Sequence, residues 1–185
     1  PNWEIIIVDN GSDEEETLDY LRELDEDSRI RVHRDDGPFN YSRLNNDAAR
    51  LAKGEIIGLI NNDIAPINED WLSEMVRQVT QPGVGAVGAK LYYENDTLQH
   101  GGVIVGLGGV AGHFDKRLPR DSRGYFGRAM LVQNFSAVTA ACLLAPKKVF
   151  EEVGGLDEQN LAVAFNDVDF CLKIREAGYR IVWTP

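Results

Sequence analysis

Residues 3–24 read WEIIIVDNGSDEEETLDYLREL, and this stretch decides the fold class. The opening apolar run, 3–8, is too short for a helix and rich in β-branched side chains, so it predicts a buried parallel strand. Asp9-Asn10-Gly11-Ser12 follows as a turn. Ser12 with Glu15 makes a capping box, and Leu18, Leu21 and Leu24 recur at helical spacing. The same order repeats downstream. RIRVHR (29–34) predicts a second strand, a loop containing Gly37-Pro38 leads to a helix near 42–53 closed by Gly54, and EIIGLI (55–60) predicts a third strand. Asn68 is placed to cap a further helix, in which Leu72, Met75, Val76 and Val79 form one face. Strand and helix alternating in this way imply an α/β protein with an open, mostly parallel sheet flanked by helices.

The second half is less regular. Residues 84–93 and 98–107 read as strands and as candidates for pairing, and 106–127, rich in glycine, charge and proline, read as a mobile loop. SAVTAACLLA (136–145) predicts another buried strand. Pro146 opens a short helix ended by Gly154-Gly155, and 166–178 reads as an amphipathic helix with Gly178 at its C-terminal end.

The 185 residues fit one domain with a full core, and 43% hydrophobic with 26% charged residues is an ordinary soluble composition. No apolar run approaches the roughly 18 residues of a membrane span, and no signal peptide opens the chain. A net charge of -11 repels nucleic-acid phosphates, so nucleic acid is not an expected partner. A phosphate ligand has to be met by a local device such as a metal ion. Cys142 and Cys171 lie in apolar surroundings without ligand-like spacing and read as reduced core residues of a cytoplasmic protein. The start on Pro1-Asn2-Trp3 and the end just after YRIVWTP suggest a fragment of a longer polypeptide.

Ligands of open α/β sheets sit beyond the carboxyl ends of the strands. Asp9-Asn10 and Asn61-Asn62-Asp63 fall there. Each cluster has a plain reading as a turn. In the first, Gly11 and Ser12 supply turn and cap, which leaves Asp9 and Asn10 able to accept hydrogen bonds from a base or ribose. A third cluster, Asn166, Asp167 and Asp169, opens the last helix. Asn166 as N-cap puts Asp169 at the third helical position, a capping-box-like pairing. Asp167 then projects outward and is the better candidate for a catalytic base.

At this point a resemblance emerges. WEIIIVDNGSDEEET, NNDAARLAKGEIIGLINND, VFEEVGGLDE and NDVDFCLKIREAGYR occur in the order and spacing of family 2 of the inverting nucleotide-sugar glycosyltransferases. FNYSRLNNDAA and SAVTAACLLAPKKVFEEVGG look most like bacterial members that build O-antigen and other surface polysaccharides, often described as rhamnosyltransferases. The resemblance implies a single-domain, Rossmann-like A-type fold over 1–185. It also implies a nucleotide-diphosphate sugar donor and a glycan or lipid-linked glycan acceptor. The expected location is cytoplasmic, with peripheral attachment at the inner face of the membrane as an option.

By position, Asp9 and Asn10 match the family's acidic pair for base and ribose, with Asn10 where Asp is common. Asn61-Asn62-Asp63 matches the Asp-X-Asp motif. It implies nucleotide contact for Asn61 and Asn62 and makes Asp63 the main protein ligand for Mg²⁺ or Mn²⁺. Asn166-Asp167 matches the Glu-Asp motif, which gives Asp167 the base role. The family's first strand should precede Pro1 and a histidine region that completes the metal site should follow Pro185, so the template is incomplete at both edges.

His100 and His113 could meet donor or acceptor, Arg123, Tyr125 and Arg128 could bind phosphate or acceptor, and Asn166 and a tight turn at Gly154-Gly155 could lie near the acceptor or donor. Ordinary loop, strand or helix-end roles stand beside each of these. Trp71 and Trp183 read as packing. A rival reading is a non-catalytic nucleotide-binding, glycan-binding or docking module derived from a glycosyltransferase. A nucleotidyltransferase would want a glycine-rich phosphate loop, and a dinucleotide oxidoreductase is disfavoured because no G-x-G-x-x-G follows a strand.

Overall fold

The structure is a computed structural model and describes residues 2–185. It groups into two compact units, residues up to Glu55 with Leu156–Asn166, and Ile56–Gly155 with Asp167–Pro185.

In the first unit β1 (Ile5–Asp9) and β2 (Ile30–Arg34) pair in parallel, which sets Ile5 opposite Ile30 and Asp9 opposite Arg34. The crossover helix α1 (Glu15–Asp25) has no fully buried residue. Its expected capping box does not form. The cap position is Glu14, with no side-chain cap, and Ser12 gives its N–H to Asp9 Oδ1 at 3.0 Å. α2 (Tyr41–Leu51) is capped by Asn40, whose side chain accepts the Arg43 N–H at 2.9 Å. Its buried face carries two polar residues with specific partners. Asn46 donates to the Leu156 carbonyl and accepts the Leu156 N–H, both at 2.9 Å, and Ser42 Oγ donates to the Leu161 carbonyl at 2.6 Å. An apolar residue in place of Asn46 would strand two buried backbone groups, so the amide fixes the returning segment in place.

The second unit is built on a five-stranded mixed sheet. β3 (Ile56–Ile60), β4 (Val84–Ala89) and β11 (Arg180–Thr184) run one way. β10 (Cys142–Pro146) lies antiparallel between β3 and β4, and β9 (Gln133–Phe135) forms the edge, antiparallel to β11. Two hairpins accompany it: β5 (Leu91–Tyr92) with β6 (Leu98–His100), and β7 (Val103–Val105) with β8 (Ala111–His113). The segment 106–127, expected as a mobile loop, thus contains β8 and a 3-10 turn, and a second such turn begins at Tyr125.

Met75 and Val79 of α3 (Trp71–Val79) pack on Val87, Cys142, Leu144 and Val182. The helix starts at Trp71 rather than after Asn68, whose side-chain amide bonds Asp70 instead of capping. Glycines of β4 admit close neighbours. A Cβ on Gly85 would lie 2.3 Å from Ile174 Cγ2 of α5 (Asn166–Glu176), and one on Gly88 2.4 Å from Val138 Cβ. The short helix α4 (Lys147–Glu152) follows β10 directly. Both cysteines are free and buried, and burial pushes their thiols up, Cys142 to about 11 and Cys171 to about 12.

Candidate active site

Each unit carries a polar cluster at a strand end. In the first, parallel pairing of β1 with β2 brings Arg34 onto Asp9. The Asp9 carboxylate is buried. Its Oδ2 pairs with Arg34 Nη1 and its Oδ1 accepts the Ser12 N–H. Burial pushes this carboxyl up, but the Ser12 hydrogen bonds and Arg34 outweigh it and hold Asp9 below the usual carboxylate range. Sequence reasoning misses Arg34, although a signal exists: two parallel strands of equal length end on Asp9 and Arg34. Asn10 spends its side-chain NH₂ on the carbonyls of Asp35 and Gly37, at 2.8 and 2.9 Å, which fixes the loop after β2. Its side-chain oxygen carries no hydrogen bond among the described residues.

In the second unit Asn61-Asn62-Asp63 leaves the end of β3. The Asn61 N–H donates to the Ala141 carbonyl at 3.0 Å, and Ile64 N–H closes a turn on the Asn61 carbonyl at 3.4 Å. Asp63 is exposed, and no hydrogen bond or ion pair engages its carboxylate among the described residues. No group of three or more His, Cys, Asp or Glu among those residues could hold a metal ion. The donor set is therefore one open carboxylate. It fits a hard ion that takes one carboxylate and draws its remaining ligands from phosphate and water, not an ion in a protein cage.

Asp167 lies in the first turn of α5 and is half-buried. Its Oδ2 accepts the Ala140 N–H at 3.2 Å and its Oδ1 the Val168 N–H at 2.8 Å. The local reading gives the structural task to Asp169, and the structure reverses it. α5 begins at Asn166, and Asp169 forms an i,i+4 ion pair with Lys173 at 3.1 Å instead of a capping box. Asn166 is buried beside the left-handed Phe165 (φ 60°), and its side-chain nitrogen has no partner among the described residues.

His100 is fully buried, so it has no surface to offer a ligand. Its Nδ1 lies 2.8 Å from His113 Nδ1, and its Nε2 accepts the Thr139 N–H at 3.4 Å. Burial, with His113 adding to it, drives His100 down to about 3, and burial also lowers His113. Both rings are neutral near pH 7. Arg128 stacks over Phe114 (4.6 Å) and donates to Gln133 at 2.9 Å. With Arg175 and Arg180 it lines a cavity of about 590 Å³. Gly154 and Gly155 take left-handed φ of 78° and 66° and end α4 by donating to the Glu151 and Phe150 carbonyls.

The five-stranded mixed sheet with its helices is an α/β fold of the Rossmann-like, A-type class seen in glycosyltransferases. Solved structures share it. GalNAc-T7 with UDP, GalNAc and Mn²⁺ matches with TM-score 0.73 and 16% identity, over 98% of this chain and 36% of that one. Mannosyltransferase PcManGT from Pyrobaculum calidifontis with GDP-Man and Mn²⁺ matches with TM-score 0.67 and 19% identity, over 98% and 45%.

The chain belongs to glycosyl transferase family 2, whose model matches residues 1–154. Among its relatives, the uncharacterized protein y4gI of Sinorhizobium fredii (strain NBRC 101917 / NGR234) is 55% identical over all of this chain and 20% of that protein. O-antigen biosynthesis protein RfbC of Myxococcus xanthus is 40% identical over all of this chain and 14% of that protein. The chain thus spans about a fifth and about a seventh of these relatives.

Proposed function

We propose that this chain is the catalytic domain of an inverting glycosyltransferase that moves a sugar from a nucleotide-diphosphate donor to an acceptor hydroxyl. Within it, Asp9 and the free oxygen of Asn10 accept from base and ribose, Asn61 and Asn62 line the nucleotide side, and Asp63 holds Mg²⁺ or Mn²⁺. Such an ion supplies charge neutralisation for the departing diphosphate. The acceptor oxygen attacks the anomeric carbon from the face opposite the diphosphate. As that bond forms, the carbon–oxygen bond to the diphosphate breaks, and the electron pair leaves with it. The acceptor proton passes to the Asp167 carboxylate.

The observation that carries the reading is Asp167 itself, a carboxylate of a family 2 chain held at a helix start by two backbone N–H groups. A weak base suffices where the transition state is loose, because the hydroxyl becomes acidic only as it bonds. The name of the RfbC relative supports a surface-polysaccharide acceptor, and the relatives' greater length supports a domain that works inside a longer polypeptide. No helix among the described residues is long and apolar enough to cross a membrane. If the longer polypeptide meets a lipid-linked acceptor, peripheral contact at the cytoplasmic face is enough.

The test is calorimetry of UDP, GDP and dTDP with and without Mn²⁺. One of them is expected to bind more tightly with the ion, and Asp63→Ala to abolish that difference. Equal affinity in the presence of a chelator rejects the metal role of Asp63.

A further inference from the structure

The backbone turn Thr139–Ala141 reaches three separate parts of the fold, among its other contacts. Thr139 N–H donates to His100 Nε2 (3.4 Å), Ala140 N–H to Asp167 Oδ2 (3.2 Å), and the Ala141 carbonyl accepts the Asn61 N–H (3.0 Å). One short turn therefore touches the proposed base, the start of the Asn61-Asn62-Asp63 loop and a wholly buried histidine. Nothing in the proposed chemistry uses that histidine.

The hydrogen bonds fix its protons. Because His100 Nε2 accepts from Thr139, the ring's single N–H of the neutral form sits on Nδ1. That N–H points at His113 Nδ1, 2.8 Å away, so His113 Nδ1 is the bare acceptor and its proton sits on Nε2. The rings meet edge to face at 5.1 Å. With His113 replaced by an apolar residue, His100 would bury an unpaired N–H. It could then move its proton to Nε2, and in that tautomer it could no longer accept from Thr139.

We propose that His100 and His113 are positioning residues for the transfer reaction. His113 locks His100 in the tautomer that anchors the Thr139–Ala141 turn, and the turn in turn aims Asp167. The proposal rests on Asp167 being the base. It assigns His113 its function through Nδ1, directed inward, and not through a contact with sugar.

Two substitutions separate these roles. The side-chain oxygen of Asn can stand in for Nδ1, whereas the amide of Gln reaches the position of Nε2. In the longest polypeptide that carries this chain, His113→Ala is expected to lower kcat by about 10–100-fold, the scale of a misplaced catalytic group, with donor KM unchanged. His113→Asn should recover to within a few-fold of the unaltered protein, and His113→Gln should not. In ¹⁵N spectra of residues 1–185, the imidazole signals should show His100 protonated at Nδ1 and His113 at Nε2. The Ala140 amide should shift in His113→Ala and return in His113→Asn. Recovery by Gln and not by Asn, an unchanged kcat in His113→Ala, or the opposite tautomers would overturn the proposal. Asp167→Asn measured alongside keeps the two readings apart. If it stays active, the base assignment fails; if it is inactive while His113→Ala is not, only the positioning role fails.

Discussion

Asp9 and Asp35 show how single carboxylates of the first unit are held. Arg43 grips Asp35 with both terminal nitrogens, at 2.6 and 2.9 Å, and with the Gly37 N–H brings it down to about 2. Asp9 is lowered as well, with Ser12 and Arg34 outweighing its burial. Both carboxyls bind protons less readily folded than unfolded. Their stabilisation is therefore complete above the unfolded value near about pH 4 and is lost as pH falls through the folded values. Urea denaturation at stepped pH should show stability dropping from about pH 4 toward 2, and Asp35→Asn should flatten part of that drop. A slope unchanged in the variant would contradict the assignment. Some of this scale is legible in the sequence and some is not. Asp9, Asn10, Asp63 and Asp167 stand out as polar residues at strand or helix ends. The task of Asp169 is misread locally because the partner that engages Asp167, Ala140, is 27 residues away and outside any local pattern.

At the scale of elements, the βαβα alternation of the first half carries the reading, and all three of its predicted strands and its three helices are present. The alternation says nothing of strands that reverse, so the antiparallel β9 and β10 come only with the structure. SAVTAACLLA is apolar throughout, yet the strand occupies only Cys142–Pro146. The residues before it are buried by the turn that meets His100, Asp167 and Asn61, and burial in a turn looks the same in composition as burial in a strand. The VGAVGA pattern of β4 has a cause on both glycines, since Ile174 and Tyr179 fill the space at Gly85 and Val138 fills it at Gly88. Gly85→Ala and Gly88→Ala should each destabilise by about 1–3 kcal/mol through overpacking. Chemical denaturation that finds either variant as stable as the unaltered chain would show that the neighbours give way freely.

For the whole molecule, a charge of -11 makes the binding of the proposed diphosphate donor the first problem to solve. A divalent ion at the single open carboxylate Asp63 is the solution proposed, and a base on α5 completes the chemistry. The motifs and their order make the family legible in the sequence. The ligand geometry of the proposed ion is not, because one Asp in Asn61-Asn62-Asp63 would leave most of its shell to groups that no sequence names. The most direct test is the rate of sugar transfer from a panel of nucleotide sugars in the longest polypeptide that carries this chain, with Asp167→Asn beside it. The account predicts transfer from at least one donor, and a loss of roughly 10²–10⁴-fold in kcat for Asp167→Asn while donor affinity stays within a few-fold. Transfer by Asp167→Asn within a few-fold of the unaltered protein, or binding of donors with no transfer from any of them, would contradict it.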